Sequence, residues 1–213
     1  MHHNKNKSAR HFIFGYGSLI NSISRTVTGE TGAAVAVKVK GFDRHWSRIS
    51  TAYGMSSVVV VANPLGACNG VLVEIDEAEL SNFDIREGGY QRVLVDSSQV
   101  EFYQQSLDLS AARSEIKIWL YQADKVVDPC SSYPIAFSYL DVILSGCLEY
   151  SQEFCSDFVQ LTKGWQHETL NDRLAPRYPR VQSDLNTQLL NGYIKPNSKL
   201  QQHHISVGYD RKH

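Results

Sequence analysis

A short segment near the start of the chain, FGYGSLI (14–20), has the composition of a turn whose main chain approaches a ligand. The apolar run HFIF (11–14) leads into it, which indicates a strand that ends in this turn. Successive N–H groups around a glycine form a concave site for a carboxylate or an oxyanion. Ser18 adds a small hydroxyl donor and Tyr16 a flat wall. The turn is therefore expected to receive a small acidic or carbonyl-bearing ligand; the alternative is a bend in which glycine serves only steric needs.

Three familiar glycine turns do not match this segment. A dinucleotide-binding turn needs a third glycine where Ile20 stands. A phosphate-binding loop needs a Gly-Lys-Ser/Thr run, which does not follow. The elbow that presents a nucleophilic serine needs glycine two residues on either side of Ser18, where Tyr16 and Ile20 stand. The ligand is therefore expected to be smaller than a nucleotide.

The acid–base candidate is Glu87, in the segment DIREGGYQRV (84–93). It stands where a predicted helix ends against two glycines, at the head of the next strand. Burial there would raise the pKa of the carboxyl towards neutrality, as a general base that later acts as an acid requires. The alternative is a solvated glutamate at a helix end, paired with Arg86 or Arg92.

The elements that position these residues follow from hydrophobic periodicity and turn signals. Strands are predicted at 11–14, 33–46, 56–64, 68–75, 90–95 and 115–123. A short helix is predicted within 76–89, where Asp76 and Glu79 have the spacing of a capping box. Later helices are predicted at 135–150, 151–163 and 183–190. Strands first and helices later indicate an α+β fold, with a small closed sheet and helices on one side of it.

Composition and charge limit the function classes. The chain has 213 residues, of which 42% are hydrophobic and 20% charged, as is typical of a soluble globular protein. A net charge of −1 argues against nucleic acid as the main partner. Neither a secretory signal pattern nor an apolar run of membrane-spanning length occurs, so a cytoplasmic location without a membrane partner is expected. Four scattered cysteines without a C-x-x-C pair indicate reduced thiols.

Several segments in this order resemble the γ-glutamylcyclotransferase superfamily. This is the BtrG-like fold of γ-glutamylcyclotransferases, γ-glutamylamine cyclotransferases and the ChaC glutathione-degrading enzymes. The resemblance spans about residues 11–158 and rests on FGYGSLI, VKGFDRHWSR, GVLVEID, REGGYQRV, IWLYQAD and SYLDVILSGCLEYSQEF. It implies a small mixed β-barrel of about six strands with helices packed on one side. The implied organisation is a flexible arm at 1–10, the γ-glutamylcyclotransferase-like domain at 11–160, and a C-terminal extension at 161–213 that wraps the core.

The resemblance also implies roles for individual residues. Glu87 matches the catalytic acid/base of the family, and the turn matches its substrate-binding loop, which grips a γ-glutamyl group largely through the main chain. The substrate-binding positions implied by motif or by place in the chain are Tyr16, Gly17, Ser18, Leu19, Arg48, Tyr90, Tyr121 and Tyr139.

The implied reaction is the cyclisation of a γ-glutamyl amino acid or amine to 5-oxoproline with release of the amine, and it needs no cofactor and no metal. The pair His203-His204 lacks a carboxylate or cysteine partner and predicts no metal site. The expected partner is therefore a small γ-glutamyl substrate. A different class of function stays open: a catalytically idle module of the same fold that binds small acidic ligands.

The C-terminal third lies outside the resemblance. Its segment NDRLAPRYPR (171–180) carries three arginines and two prolines and is expected to fold over the core. Arg173, Arg177 or Arg180 would then contact a substrate carboxylate. The alternative is a proline-stiffened wrap whose arginines are solvated or lie in surface ion pairs.

Overall fold

The computed structural model describes residues 9–27, 34–104, 115–180 and 185–194, and within them a large sheet is packed against helices. The strands are β1 (Arg10–Gly15), β2 (Ala34–Ser50), β3 (Met55–Ile75), β4 (Gln91–Val95), β5 (Val100–Phe102), β6 (Ile116–Gln122), β7 (Ile135–Ala136), β8 (Thr162–Lys163) and β9 (Thr169–Leu170). The helices are α1 (Ser22–Thr26), α2 (Leu80–Arg86), α3 (Phe137–Leu148), α4 (Gln152–Leu161) and α5 (Thr187–Ile194). Short 3₁₀ turns lie at Ser18–Ile20, Glu77–Glu79 and Ser97–Gln99.

The sheet is mixed, and its six main strands lie in the order β4-β6-β1-β3-β2-β5. β1 pairs antiparallel with β3 on one side and parallel with β6 on the other. This places the end of β1, where the glycine turn begins, in the middle of the sheet. The α+β class and the mixed sheet are as predicted; closure of the sheet into a barrel stays a prediction.

The strands predicted at 56–64 and 68–75 are in fact one continuous strand, β3, so the division at Asn63-Pro64 is wrong. Lys40 pairs with Ala67 and the next pair is Phe42 with Ala62, so residues 63–66 of β3 form a bulge. A proline is tolerated at a bulge because its missing N–H is not needed by the ladder. The long partner strand β2 continues to pair on both sides of the bulge and keeps the strand whole.

Two apolar cores lie on opposite faces of the sheet. One contains α3 and α4 packed on the sheet, and nine of the twelve residues of α3 are buried. The buried residues of the other all lie in strands, among them Phe12, Phe14, Val39 and Leu120. Helices therefore cover one side of the sheet, as predicted, and the opposite face packs largely on itself.

The predicted short helix before Glu87 begins differently from the prediction. A 3₁₀ turn precedes α2, and the main-chain N–H of Glu79 donates to the carbonyl of Asp76 at 3.0 Å. The side chain of Asp76 forms no cap hydrogen bond, so the predicted capping box is wrong, because that N–H is already bonded within the turn. The helix still ends at Arg86, immediately before Glu87, as the two glycines predict.

The segment that follows β9 is fastened to the first turn of α3. Oδ1 of the buried Asp172 accepts the main-chain N–H of Ser138 at 2.8 Å, and its Oδ2 accepts the Ser138 hydroxyl at 2.5 Å and the Arg177 N–H at 2.8 Å. Arg173 binds the carboxylate of Asp141 on the same helix through two hydrogen bonds. Residues 172–180 are thereby held beside the end of β1. Within the described ranges, no helix has both the length and the apolar character needed to cross a membrane.

Candidate active site

A cavity of about 510 Å³ opens where the glycine turn, the end of α2 and the first turn of α3 meet. Strand β2 ends at one wall of it, and the loop to β3 continues that wall. All nine residues that the sequence suggested for a site line this cavity. They are Tyr16, Gly17, Ser18, Leu19, Arg48, Glu87, Tyr90, Tyr121 and Tyr139.

The glycine turn is held from behind by a buried arginine. After β1 the chain forms a 3₁₀ turn in which the Ile20 N–H donates to the Gly17 carbonyl at 2.9 Å. Nη1 of Arg25 donates to the carbonyls of Leu19 and Ile20 at 2.8 and 2.7 Å. The first N–H groups of such a turn, those of Ser18 and Leu19, have no partner inside it. The Ser18 N–H interacts with the Tyr139 hydroxyl, which also lines the cavity. The turn therefore directs carbonyls towards Arg25 and its first N–H groups towards the side of Tyr139.

Glycine is needed at position 17 because the backbone there approaches two other elements. A Cβ at Gly17 would lie 3.0 Å from the Tyr139 hydroxyl and 3.0 Å from a methyl of Val58. These separations are tighter than ordinary van der Waals contacts, so a Cβ here would require the Tyr139 or Val58 side chain to shift by a few tenths of an ångström. Close packing of the turn against Tyr139 thus explains the second glycine of the motif.

Glu87 lies at the end of α2, and both its main-chain N–H and its carbonyl form hydrogen bonds. Its N–H donates to the Phe83 carbonyl at 2.8 Å, and its carbonyl accepts the Tyr90 N–H at 3.0 Å. Gly89, with φ +90°, supplies a left-handed conformation that a side chain would strain. The helix end and this tight turn together fix the direction in which the carboxylate leaves the backbone.

The carboxylate of Glu87 is largely removed from water yet only loosely paired. Its side chain is 21% exposed, and Oε1 lies 3.2 Å from Nε of Arg86. Burial raises the pKa of Glu87, while Arg86 and Arg48 oppose the rise without cancelling it. A carboxyl with a raised pKa exchanges its proton nearer to neutral pH, as a general acid or base must.

Four tyrosines line the cavity together with Glu87 and are neutral groups. Burial raises the pKa of Tyr90 to about 12 and holds those of Tyr16, Tyr121 and Tyr139 well above their usual range. The Tyr16 hydroxyl donates to the Tyr121 carbonyl at 2.7 Å. Because these phenols stay protonated at neutral pH, they serve as walls and hydrogen-bonding groups, and Glu87 is the group in the cavity suited to move a proton.

The segment 171–180 contributes to the cavity through Tyr178 and Arg180. The Tyr178 ring packs edge-on against Tyr139, with ring centroids 4.9 Å apart, and against Tyr53 at 5.7 Å. Arg173 instead binds Asp141, and Arg177 donates to the carbonyl of Gly54. Of the three arginines considered from sequence, Arg180 lines the cavity.

Tyr53, Tyr178 and Arg86 are lining residues that the sequence did not single out for the site. Arg86 had a usable signal, because it is next to Glu87 in the chain. Tyr178 and Tyr53 had none, since they pack against each other from distant parts of the chain. Among the described residues, no three histidine, cysteine or acidic side chains lie together as a metal site. The pair His203-His204 lies outside the described residues.

Comparisons with known proteins agree with this architecture. No family model matches the chain. A curated protein of Arabidopsis thaliana, Protein AIG2 C, is 26% identical over 117 residues, which are 54% of this chain and 64% of that protein, so the chain spans less than two thirds of the relative's length. A solved human structure, uncharacterized protein loc79017, matches at a TM-score of 0.55 and 16% identity, over 88% of this chain and 99% of that one. A structure named gamma-glutamyl cyclotransferase matches at a TM-score of 0.54 with the same identity and coverage.

These likenesses are at the level of the fold. The chain has the γ-glutamylcyclotransferase-like fold, in agreement with the resemblance of its sequence motifs.

Proposed function

We propose that this chain is a γ-glutamylcyclotransferase-like enzyme, which cyclises a γ-glutamyl amino acid or amine to 5-oxoproline and releases the amine. The observation that carries the proposal is that Glu87, a carboxyl with a raised pKa, lines the same cavity as the donor-bearing turn at residues 16–19. The fold it shares with a structure named gamma-glutamyl cyclotransferase supports the same reaction class.

The first step is a proton transfer to Glu87. A γ-glutamyl substrate bound in a bent conformation brings its own α-amino group to its γ-carbonyl carbon. Glu87 takes a proton from the α-ammonium group, which makes the nitrogen nucleophilic. Because the attack is intramolecular, correct positioning alone lowers the barrier by up to about 7–11 kcal/mol in well-oriented systems.

The second step is the collapse of a tetrahedral intermediate. Ring closure turns the γ-carbonyl oxygen into an oxyanion. The donors proposed to stabilise it are the main-chain N–H of Leu19 and that of Ser18, which also interacts with the Tyr139 hydroxyl. The bond from the former carbonyl carbon to the leaving nitrogen then breaks, and Glu87 returns its proton to that nitrogen. The ring nitrogen still carries one extra proton from the former ammonium group, and Glu87, again a carboxylate, takes this proton and passes it to the released amine. The products are 5-oxoproline and the amine as its ammonium ion, and Glu87 regains its starting charge.

The proposed substrate contacts divide between main chain and side chains. Gly17 allows the turn to lie against the Tyr139 hydroxyl, so Tyr139 continues the wall that the turn forms. The ligand would be enclosed by this wall and the phenol of Tyr90. We also propose that the extension from residue 161 completes the cavity, which is supported by the packing of Tyr178 on Tyr139.

Release of 5-oxoproline from γ-glutamyl-alanine by the wild-type protein and by Glu87→Gln tests the proposal. We expect Glu87→Gln to lose roughly 10²–10⁴-fold in turnover, the usual contribution of acid–base catalysis. Glu77→Gln is the matched control, because that side chain is 73% exposed and does not line the cavity. Retention of more than roughly a tenth of the activity by Glu87→Gln would contradict the assignment. Binding of 5-oxoproline without any turnover by the wild-type protein would favour an idle ligand-binding module.

A further inference from the structure

The charged side chains that line the cavity are unevenly distributed around Glu87. They are the arginines Arg48, Arg86 and Arg180 and the single acid Glu87. Arg86 forms an ion pair with Glu87. Arg180 lies on the side of α1, where its Nη1 contacts the Ser24 hydroxyl at 3.4 Å. Arg48 lies against the two glycines that follow Glu87.

Arg48 is held in place by neutral groups. Its Nη2 donates to the Gly88 carbonyl at 3.2 Å, and its guanidinium lies over the Tyr90 ring, 4.3 Å from the centroid. A guanidinium carries five N–H donors, so most of them stay available after one bond to Gly88. No carboxylate of the described residues forms an ion pair with Arg48. The side chain is thus an oriented cation that lines the cavity beside Glu87.

The proposed reaction itself places the leaving group near this cation, so the inference rests on the proposed function. Glu87 returns a proton to the leaving nitrogen, which must therefore lie within hydrogen-bonding distance of it. In a γ-glutamyl amino acid, the α-carboxylate of the leaving residue is only two bonds from that nitrogen. Arg48, hydrogen-bonded to the residue next to Glu87, is the guanidinium that such a carboxylate would meet.

A second cavity continues beyond Arg48. It has a volume of about 250 Å³ and shares Arg48 and Ile49 with the first. Its other lining residues include Gly89, which presents no side chain at the junction, and Lys125 and Val127. Space of this size beside the cation suits the side chain of an amino acid.

We infer that Arg48 binds the α-carboxylate of the leaving amino acid and that the second cavity receives the remainder of that residue. The substrates are then γ-glutamyl amino acids whose leaving residue has a free α-carboxylate, and simple γ-glutamylamines are poor substrates. Arg48 is a specificity-determining residue, since it touches the leaving group and takes no part in the proton transfers.

The test compares two substrates that differ only by this carboxylate, γ-glutamyl-alanine and γ-glutamyl-ethylamine. We expect wild-type kcat/KM to favour γ-glutamyl-alanine by roughly 10- to 100-fold, the contribution of a hydrogen bond to a charged group. Arg48→Met should bring this ratio close to one, and Arg48→Lys should restore part of it. The ratio is the readout because loss of Arg48 also alters the surroundings of Glu87, which affects both substrates alike. Arg10→Gln, which removes an arginine outside the cavity, should keep the wild-type ratio.

The kinetic results distinguish a failure of the proposed function from a failure of the role assigned to Arg48. If the wild-type protein turns over neither compound, the proposed function is overturned, and this inference with it. If it turns over both equally well, the proposed function stands and the assignment of Arg48 is wrong. If Arg180→Met abolishes the preference while Arg48→Met keeps it, the carboxylate binds at Arg180 instead. A thermal shift with 5-oxoproline, which has no leaving group, shows for each variant whether the cavity is still formed.

A second experiment tests whether the leaving side chain occupies the second cavity, by reducing the volume of that cavity. Val127→Phe fills that cavity without touching the first. We expect this variant to reduce kcat/KM for γ-glutamyl-leucine more than for γ-glutamyl-alanine. Equal effects on the two substrates would contradict the placement of the leaving side chain beyond Arg48.

Discussion

Asp141 and Glu87 are both carboxylates beside arginines, but their oxygen atoms are bound in different ways. Asp141 on α3 is 2% exposed, and Arg173 donates to its two oxygens at 2.6 and 2.7 Å. Arg173 is itself fixed by a further bond to Asn191 at 3.0 Å. Glu87 has one longer contact, at 3.2 Å to Arg86, and its pKa is raised by burial.

This difference in hydrogen bonding distinguishes an acid that stabilises the fold from one that is suited to proton transfer. A carboxylate that accepts two charged hydrogen bonds fixes its partner in place. A carboxylate that is desolvated but loosely paired gains and loses a proton more readily near neutral pH. Asp141 therefore fastens the segment 172–180 to α3, and Glu87 keeps the properties that the proposed proton transfers need.

The largest effect on stability is expected at the structural pair. Arg173→Gln leaves the buried carboxylate of Asp141 without its ion partner, which should cost about 3 kcal/mol of unfolding free energy, towards the lower end of the range for broken buried pairs because Arg173 is partly exposed. Arg10→Gln is the matched control: it breaks an exposed pair with Glu74 and should cost less than about 1 kcal/mol. Urea unfolding of both variants measures the difference. Equal losses would mean that the Asp141 pair is no stronger than a surface pair.

Replacement of Glu87 is expected to raise the stability of the protein, whereas replacement of Arg173 lowers it. Its pKa in the folded protein is higher than in the unfolded chain, so between these two values the folded state binds more protons and stability falls as pH rises. Glutamine does not titrate, so Glu87→Gln does not lose stability in this way as the pH rises. Glu87→Gln should therefore melt above the wild-type protein at about pH 8, and the gap should close towards about pH 4, where the glutamate is largely protonated in both states. A variant less stable than wild type at the higher pH would show that the carboxylate contributes to the fold.

The smallest effect on stability is expected at Arg86. Its charge lowers the pKa of Glu87, so Arg86→Gln should raise that pKa further and move the acid limb of the kcat/KM profile to higher pH. The partly exposed pair should contribute less than about 1 kcal/mol to stability. Lys40→Gln, which breaks an exposed pair with Glu101 away from the cavity, should leave the limb in place. An unmoved limb in Arg86→Gln would mean that another group titrates.

The features that the sequence predicts correctly are largely those set by residues close together in the chain. The helix end before Glu87 follows from Gly88-Gly89, and the turn after β1 follows from the Tyr16-Gly17-Ser18 run. Both signals lie within a few positions of the residues they place. The α+β class and the helices after residue 135 follow from periodicity in the same local way.

The rest depends on contacts between distant parts of the chain. The continuity of β3 through Pro64 is decided by its pairing with β2, which a reading of the local Asn-Pro signal misses. Tyr178 reaches the cavity because Asp172 binds the start of α3, a contact between residues 34 positions apart. Which of three nearby arginines lines the cavity likewise depends on the partners Asp141 and Gly54, and neither can be inferred from the segment itself.

A crystal structure of Glu87→Gln with γ-glutamyl-alanine bound tests the central claim most directly, because the variant should bind this substrate without consuming it. We expect the α-amino group of the glutamyl part within hydrogen-bonding distance of the side-chain amide introduced at position 87. The γ-carbonyl oxygen should face the main-chain N–H groups of Ser18 and Leu19. A substrate bound with its γ-carbonyl directed away from the turn, or outside the cavity altogether, would contradict the account.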